Sequence, residues 1–474
     1  MLEATFLDLS PEEIQKRNLL LKRDREAGYS SEAFGEKVIP AIRDDNSIRA
    51  ITVCFSDLEG KLHLLDYNKE FFLNSLDNLT FDGSSIRGFT EQKQSDLRLY
   101  PDWSSFRWVP SSIFGAGKVL IFGRIANQDG STYDGDMRSK LSDFLQDLFK
   151  NKKIRVLTAP EIEGFLLQGI DAEQGYREDQ PYELVTKGGY FSALPLDTLR
   201  QFIDTFAKAQ LMMGFENEKD HPEVAPSQFE LNYRYTEALG AADQILLYKL
   251  LARQIAKSMG LTVCFLPKPL TGINGSGMHT NMSLSENGKN IFYDASDPDN
   301  LSQTGRQFAC GILNHAKELC LAINSSVNAY RRLDPHFEAP NEIKMSAKDR
   351  GSMIRIPVGN ERSARIEVRI VPPDANPYLV IYSLSKAGLD GMEQRMGLPS
   401  GTIETLPSCI QDAFPDFEQS SFMKQILGES VHGKYLRLKE EVANRCPREL
   451  GTFVKTTEVL FHHEVRNQYL WQRF

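Results

Sequence analysis

At 474 residues, with 41% hydrophobic and 25% charged side chains, the chain can bury one large core, or a large and a small one. Its formal net charge of −9 argues against nucleic acid as the main partner, because phosphate binding needs a basic face. No window carries the ~18 consecutive apolar residues of a membrane span, and the acidic start MLEATFLDLSPEE lacks the order of a signal peptide.

Residues 1–45 read as a polar lead-in, a single helix with a tether. Ser10-Pro11-Glu12-Glu13 supplies a capping hydroxyl, a first-turn proline and a glutamate three residues on, and Gly28 is a natural stop. RAITVCFSD and GKLHLLDY, separated by a Glu-Gly turn, open a small β-rich domain placed at 46–112. Residues 113–474 mix strands and helices and read as one α+β catalytic domain. Helical apolar spacing covers 240–260 and the run from Gly305 to Val327, and Asn376-Pro377 caps another helix. Strands are expected in RVLTAPEIEGFLL, LTVCFLPKPL, GMHTNMSLS and RIEVRIV. Six cysteines (54, 264, 310, 320, 409 and 446) form no CxxC pair and read as reduced thiols, which makes the cytoplasm the expected compartment.

Five stretches carry chemistry. Glu161 and Glu163 lie two apart on a strand, so they share a face, where a divalent cation would relieve their repulsion; a solvated polar face is the alternative. Glu223 and Glu230 flank a Pro-Ser turn that can bring two strand-borne carboxylates together, although acidic proline loops are common. In NGSGMHTNMSLS, Gly275 and Gly277 permit close backbone approach and His279 enters a strand. A lone histidine there is more often structural, but beside carboxylates it suits Mn²⁺. SAKDRGSMIRIPVGNERSARIEVRI places Arg350, Arg355, Arg362, Arg365 and Arg369 around Glu367, guanidinium forks that match phosphate or carboxylate or else form a surface ladder. Asp82-Gly83 in FDGSSIRGF is a turn signal. Together these are the parts of metal-assisted phosphoryl transfer.

In chain order, FDGSSIRGF, SDLRLYPD, APEIEGF, GGYFSALPLD, HPEVAPSQFEL, LPKPLTGINGSGMHTNMSLS, NAYRRLDPHFEAP, DRGSMIRIP and RIEVRIVPPDANPYL resemble the signature blocks of type I glutamine synthetases, from about Ile51 to Met392. The resemblance implies a β-grasp domain followed by a funnel-shaped catalytic domain, with active sites between subunits of a ring, usually a dodecamer of two stacked hexamers. It implies one Mg²⁺ or Mn²⁺ held by Glu163, Glu223 and Glu230, and another by Glu161, His279 and Glu367. Glutamate would meet Asn274, Gly275, Arg332 and Arg369; ATP would meet Glu218, Tyr235, Ser283, Arg355 and Arg362. Arg350 corresponds to the arginine at the transferring phosphoryl group, and Glu338 to the flap glutamate. Asp82, from the adjacent subunit, corresponds to the ammonium-binding aspartate, with Tyr190 and Glu223 lining that pocket. The implied activity is ATP-dependent joining of ammonia to glutamate through γ-glutamyl phosphate.

Some positions depart from the family pattern. Asn281 stands where a second histidine is frequent, which bears on adenine or ribose contacts. Lys348-Asp349 replaces Arg-Asn, Glu91 stands at the feedback arginine, and the C-terminal region lacks the adenylylation tyrosine motif. The lead-in is longer than usual by roughly thirty residues, which bears on ring stacking. Two rivals are a γ-glutamyl ligase for an organic amine or polyamine and a non-catalytic ring-forming relative. The presence of Asp82 and Glu223 favours ammonia, and the complete ligand set favours catalysis.

Overall fold

A computed structural model describes residues 9–175, 182–194 and 197–444. The readings made on the first eight residues, on Cys446 and on the C-terminal tail lie outside them. Ser10 caps the helix Pro11–Glu26 by accepting from Glu13 N at 3.2 Å. The lead-in is not one helix and a tether: Ser30 caps a second helix, Ser31–Asp44. Phe34, Val38 and Ile42, four apart along it, bury one face in the core of the first sheet. That face is short and set among charges, which made it hard to see in the sequence. Asn18, on the first helix, donates to Trp108 O (2.7 Å) and Met212 O (2.8 Å) and so stitches the lead-in to both domains.

The first sheet has the order Leu62–Asn68, Ala50–Ser56, Lys118–Ala126, Asp96–Trp108, Leu79–Asp82. Ala50–Ser56 and Leu62–Asn68 form the expected hairpin, antiparallel and in register from Ala50 opposite Asn68 to Ser56 opposite Leu62. Gly60 turns it at φ +90°, and a Cβ there would strike Asn376 Cα at 2.5 Å. The turn thus rests on the second domain, where Asn376 Nδ2 donates to Leu58 O at 3.1 Å. A boundary at residue 112 is too early, because Lys118–Ala126 is the central strand, parallel to Ala50–Ser56. Its run KVLIFGRIA is almost wholly buried, as a central strand must be.

The second sheet has ten strands. Its main path runs Glu342–Ser346, Ser352–Arg355, Ile366–Val368, Met278–Glu286, Ile154–Gln168, Gln228–Tyr233, Asn217–Pro222. Apolar residues of the sheet and of the helices Ala238–Ser258, Gln303–Asn314 and Pro377–Glu393 share one core. Arg138, 2% exposed, ties the domains together by donating to Asp102 on the first sheet and to Asp243 on helix Ala238–Ser258. The run expected to be helical from Gly305 to Val327 is broken into Gln303–Asn314, Ala316–Ile323 and the start of Val327–Arg332. Asn314 Nδ2 donates to Cys310 O at 2.7 Å, four residues back, a local bond that competes with the backbone ladder where the helix ends. No described helix is long and apolar enough to cross a membrane. The five described cysteines are free thiols.

Candidate active site

Strand register builds the site. Alternation on Ile154–Gln168 puts Glu161 and Glu163 on one face. Across the sheet Glu161 lies opposite His279, and Glu163 opposite Glu230, which in turn lies opposite His221. On the next strand Glu367 lies opposite Asn281. A row of acids and imidazoles therefore crosses five adjacent strands.

Two groups could each hold a metal ion. In one, His279 Nδ1 is 3.7 Å from Glu161 Oε2 and 3.6 Å from Glu367 Oε1. In the other, His221 lies 3.4 Å from Glu223 Oε1 and 3.6 Å from Glu230 Oε1. The first has the composition anticipated from sequence. The second brings in His221, where Glu163 was anticipated beside Glu223 and Glu230. Glu163 sits between the groups: it accepts from Gly277 N (2.8 Å) and Gln228 Nε2 (3.2 Å), with Oε1 3.9 Å from His279 Nε2. His221 was missed, although it precedes Glu223 by two residues in HPEV, the same spacing that drew attention to Glu161 and Glu163.

The electrostatics suit a cation. Burial, then the Glu163 carboxylate, pushes Glu223 up to about 8. Burial together with Glu161, Glu163 and Glu223 raises Glu230 well above the carboxylate range. Glu161 goes the other way: burial raises it, but the hydrogen bond and charge of His279 prevail and bring it down to about 2. Carboxylates held this close repel until a divalent ion or a proton joins them, and each of the two groups offers carboxylate and imidazole donors to such an ion.

Arginines frame the acids. Arg355 Nη1 donates to Glu367 Oε2 at 2.8 Å, and Arg369 pairs with Oε1 of the same carboxylate. Arg369 also donates to Arg350 O (3.1 Å) and reaches Glu338 O (3.5 Å), so one guanidinium holds both loops. Arg332 is buried, donates to Arg369 O and Ile370 O, and lies 3.4 Å from His279 Nε2. A Cβ on Gly277 would meet Arg332 Nη2 at 2.6 Å and His279 Nε2 at 2.7 Å, so only glycine lets these two side chains pack there. Gly275 is similarly confined, 2.3 Å from Pro267 O by the same measure, and Asn274 Nδ2 donates to Glu338 Oε2 at 3.0 Å. Tyr190 stacks on Phe191 at 3.8 Å, and both rings meet His221 edge-on. Burial, then the charge of Glu223, raises the Tyr190 pKa.

A cavity of about 220 Å³ opens beside Glu161. Glu218, Tyr235, Ser283 and Arg362 line it, four of the five residues anticipated for nucleotide; Arg355 is instead committed to Glu367. Asn281, the departure from pattern, also lines it. Its Nδ2 donates to Glu161 Oε1 (3.1 Å) and its Oδ1 accepts from Arg365 Nε (2.9 Å), linking cavity and acids. Asp82 is the residue the single chain does not bring in. Exposed at the end of Leu79–Asp82, it accepts from Ser84 N, Ser84 Oγ and Ser85 Oγ at 2.7–2.8 Å.

Residues 47–128 match the glutamine synthetase β-grasp domain, and residues 134–451 the glutamine synthetase catalytic domain. Glutamine synthetase of Methanosarcina mazei is 36% identical over 422 residues, 85% of this chain and 93% of the relative. That of Thermotoga maritima is 34% identical over 440 residues, 89% of this chain and 98% of the relative. In fold, the chain resembles a Plasmodium falciparum glutamine synthetase solved by cryo-electron microscopy (TM-score 0.81, 22% identity, 89% of this chain and 98% of that one). It also resembles a GmaS/ADP complex (TM-score 0.77, 23% identity, 89% of this chain and 99% of that one). With both domains matched in order, and with relatives above 30% identity along most of its length, the chain belongs to the glutamine synthetase family of ATP-using, divalent-metal ligases.

Proposed function

We propose that this enzyme ligates ammonia to the side-chain carboxylate of L-glutamate, with ATP converted to ADP and phosphate through a γ-glutamyl phosphate. The observation that carries the reading is the pair of metal-competent groups set between an arginine-framed mouth and a cavity lined by Glu218, Tyr235, Ser283 and Arg362. Glu161, His279 and Glu367 would hold one Mg²⁺ or Mn²⁺, and Glu163, Glu223 and Glu230, with His221, the other. The ions would supply charge neutralisation for phosphoryl transfer.

The chain's own groups do the rest. A carboxylate accepts an amine poorly because its oxygen leaves badly, and phosphorylation turns that oxygen into a good leaving group. Arg332 and Arg369, with Asn274 and Gly275, orient glutamate; Arg350 and Arg355 offset the charge that gathers on the phosphoryl oxygens. Arg362 extends that positive edge along the cavity. Glu338 closes over the mouth and excludes water, which would hydrolyse the acyl phosphate. Asp82 of a neighbouring subunit, with Tyr190 and Glu223, binds ammonium and takes the proton that makes it a nucleophile. In this reading the protein works in the cytoplasm as a ring, a dodecamer of two hexamers.

A second reading keeps glutamate and ATP but takes an organic amine. The observation favouring it is the Tyr190–Phe191 stack, 48% and 61% exposed beside Glu223, which offers an apolar wall to an alkyl group. Phosphate release from ATP with Mg²⁺ and glutamate, comparing ammonium with alkylamines and polyamines, separates the two. Ammonium-dependent release with glutamine as product is expected; release only with an organic amine would overturn the ammonia assignment.

A further inference from the structure

A larger cavity, about 460 Å³, lies away from the acidic row, between helices Met137–Lys152, Pro377–Glu393 and Ser421–Leu427. Its lining is mixed, and one patch of it is apolar: Phe144 and Tyr382 meet edge to face at 5.5 Å and 88°, with Phe422, Leu389 and Ile426 beside them. Most of its charges are committed. Lys152 pairs with Glu393, and Asp390 accepts from His315 Nε2 at 2.9 Å. Lys140 donates to Leu427 O at 3.0 Å and retains two further N–H donors.

Lys386 is different. It is half-buried in the cavity wall, with its Nζ 4.9 Å from the Phe144 ring centre and 5.8 Å from that of Tyr382. Among the described residues it has no carboxylate or carbonyl partner. Ring faces attract an ammonium weakly but leave its three N–H donors unmatched. Burial lowers the Lys386 pKa; the Glu393 charge opposes this and Lys140 adds to it, so two cations share one partly desolvated space.

We propose that this cavity is a ligand site, separate from the catalytic face, for a small organic carboxylate with an apolar body. The carboxylate meets Lys386 and Lys140, and the body lies against Phe144, Tyr382 and Phe422. Several features select this class. The volume matches a small molecule and not a protein segment. Two lysines are point charges without the fork that favours phosphate, and the acids Asp147 and Glu393 in the same lining disfavour a dianion. The inference stands independently of which amine the enzyme uses.

The test is calorimetric titration of the full chain with 3-phenylpropionate, which carries the charge and an aromatic body but no amino group. One saturable site per chain is expected. Lys386→Met, which keeps the apolar stem, should weaken binding about tenfold or more, as should replacing the probe by its neutral amide. Phe144→Leu should weaken binding several-fold, and inorganic phosphate should not compete. Lys386→Met should leave the melting temperature and ammonium-dependent phosphate release unchanged. Equal binding to Lys386→Met, displacement of the probe by glutamate, or no saturable binding to folded protein up to about 10 mM would each overturn the proposal.

Discussion

Glu230 concentrates the tension of the site in one residue. It is 4% exposed, lies between His221 and Glu163 across the sheet, and is raised well above the carboxylate range by burial and three acidic neighbours. Without metal, burial and these neighbours favour the protonated form of Glu230 in the folded chain, whereas in the unfolded chain it ionises near the ordinary 4.5. Its presence therefore costs stability, increasingly so as pH rises from that value toward its raised folded one. Glu230→Gln removes this cost. In chelator-treated protein at pH 7 the variant should melt higher by roughly 2 °C or more, with the gap narrowing toward pH 4.5. The same substitution should abolish most of the melting-temperature gain from added Mn²⁺ and lower turnover about 100-fold. A variant that melts lower than wild type without metal would show that the carboxylate is structural. At this scale the sequence was informative where chemistry and strand alternation coincide, as at Glu161 and Glu163. Residue pattern alone could not show that His279 faces Glu161, because register depends on cross-strand pairing over more than a hundred residues, and only the family resemblance put the two together. His221 escaped notice for the same reason: its meaning comes from lying opposite Glu230.

Between elements, His315 does work that its position in a helical run conceals. It stands where Gln303–Asn314 gives way to Ala316–Ile323, its ring stacked on Phe422 at 3.9 Å. Nδ1 lies 3.2 Å from Glu318, which also accepts from Ser420, and Nε2 lies 2.9 Å from Asp390 on Pro377–Glu393. Burial pulls the imidazole pKa down, but Glu318 and Asp390 together raise it. A histidine raised in the folded state stabilises fully below its unfolded value near 6.5, and that contribution fades as pH rises through the folded value. His315→Gln should thus lose about 1–2 kcal/mol at pH 5.5 and much less at pH 9, read as melting curves at the two pH values. A deficit that is constant with pH would mean that the ring serves only by packing. The helix starts at Ser10 and Asn376 were legible because capping is local: each accepts from amides two or three residues on. The break at Asn314 was not, because helical apolar spacing continues across it and only the Asn314–Cys310 bond and the reach to Asp390 reveal it.

For the whole molecule, the decisive residue is the one that lies apart. The β-grasp sheet presents Asp82 at the end of an edge strand, exposed and held by its own serines, while the acidic row lies on the second sheet. The loop that carries it is firmly based: Arg87 pairs with Glu59 (3.1 Å) and with Glu441 on the last described helix (2.6 Å), and Gly88 abuts Leu438. A rigid loop that projects a carboxylate outward serves catalysis only if another chain's acidic row meets it, which is why a ring follows from the proposed reaction. Subunit mixing tests this directly. Asp82→Ala and Glu163→Ala homomers should each be nearly inactive, one lacking the proton acceptor and the other a metal-site acid. Co-assembled at random in equal amounts in a closed ring, about a quarter of the sites would pair an intact acidic row with an intact Asp82 from the neighbour. Activity should therefore return to about 25% of wild type in the mixture and stay near zero in either parent. If each site were built within one chain, every site in the mixture would carry one lesion and no activity would return.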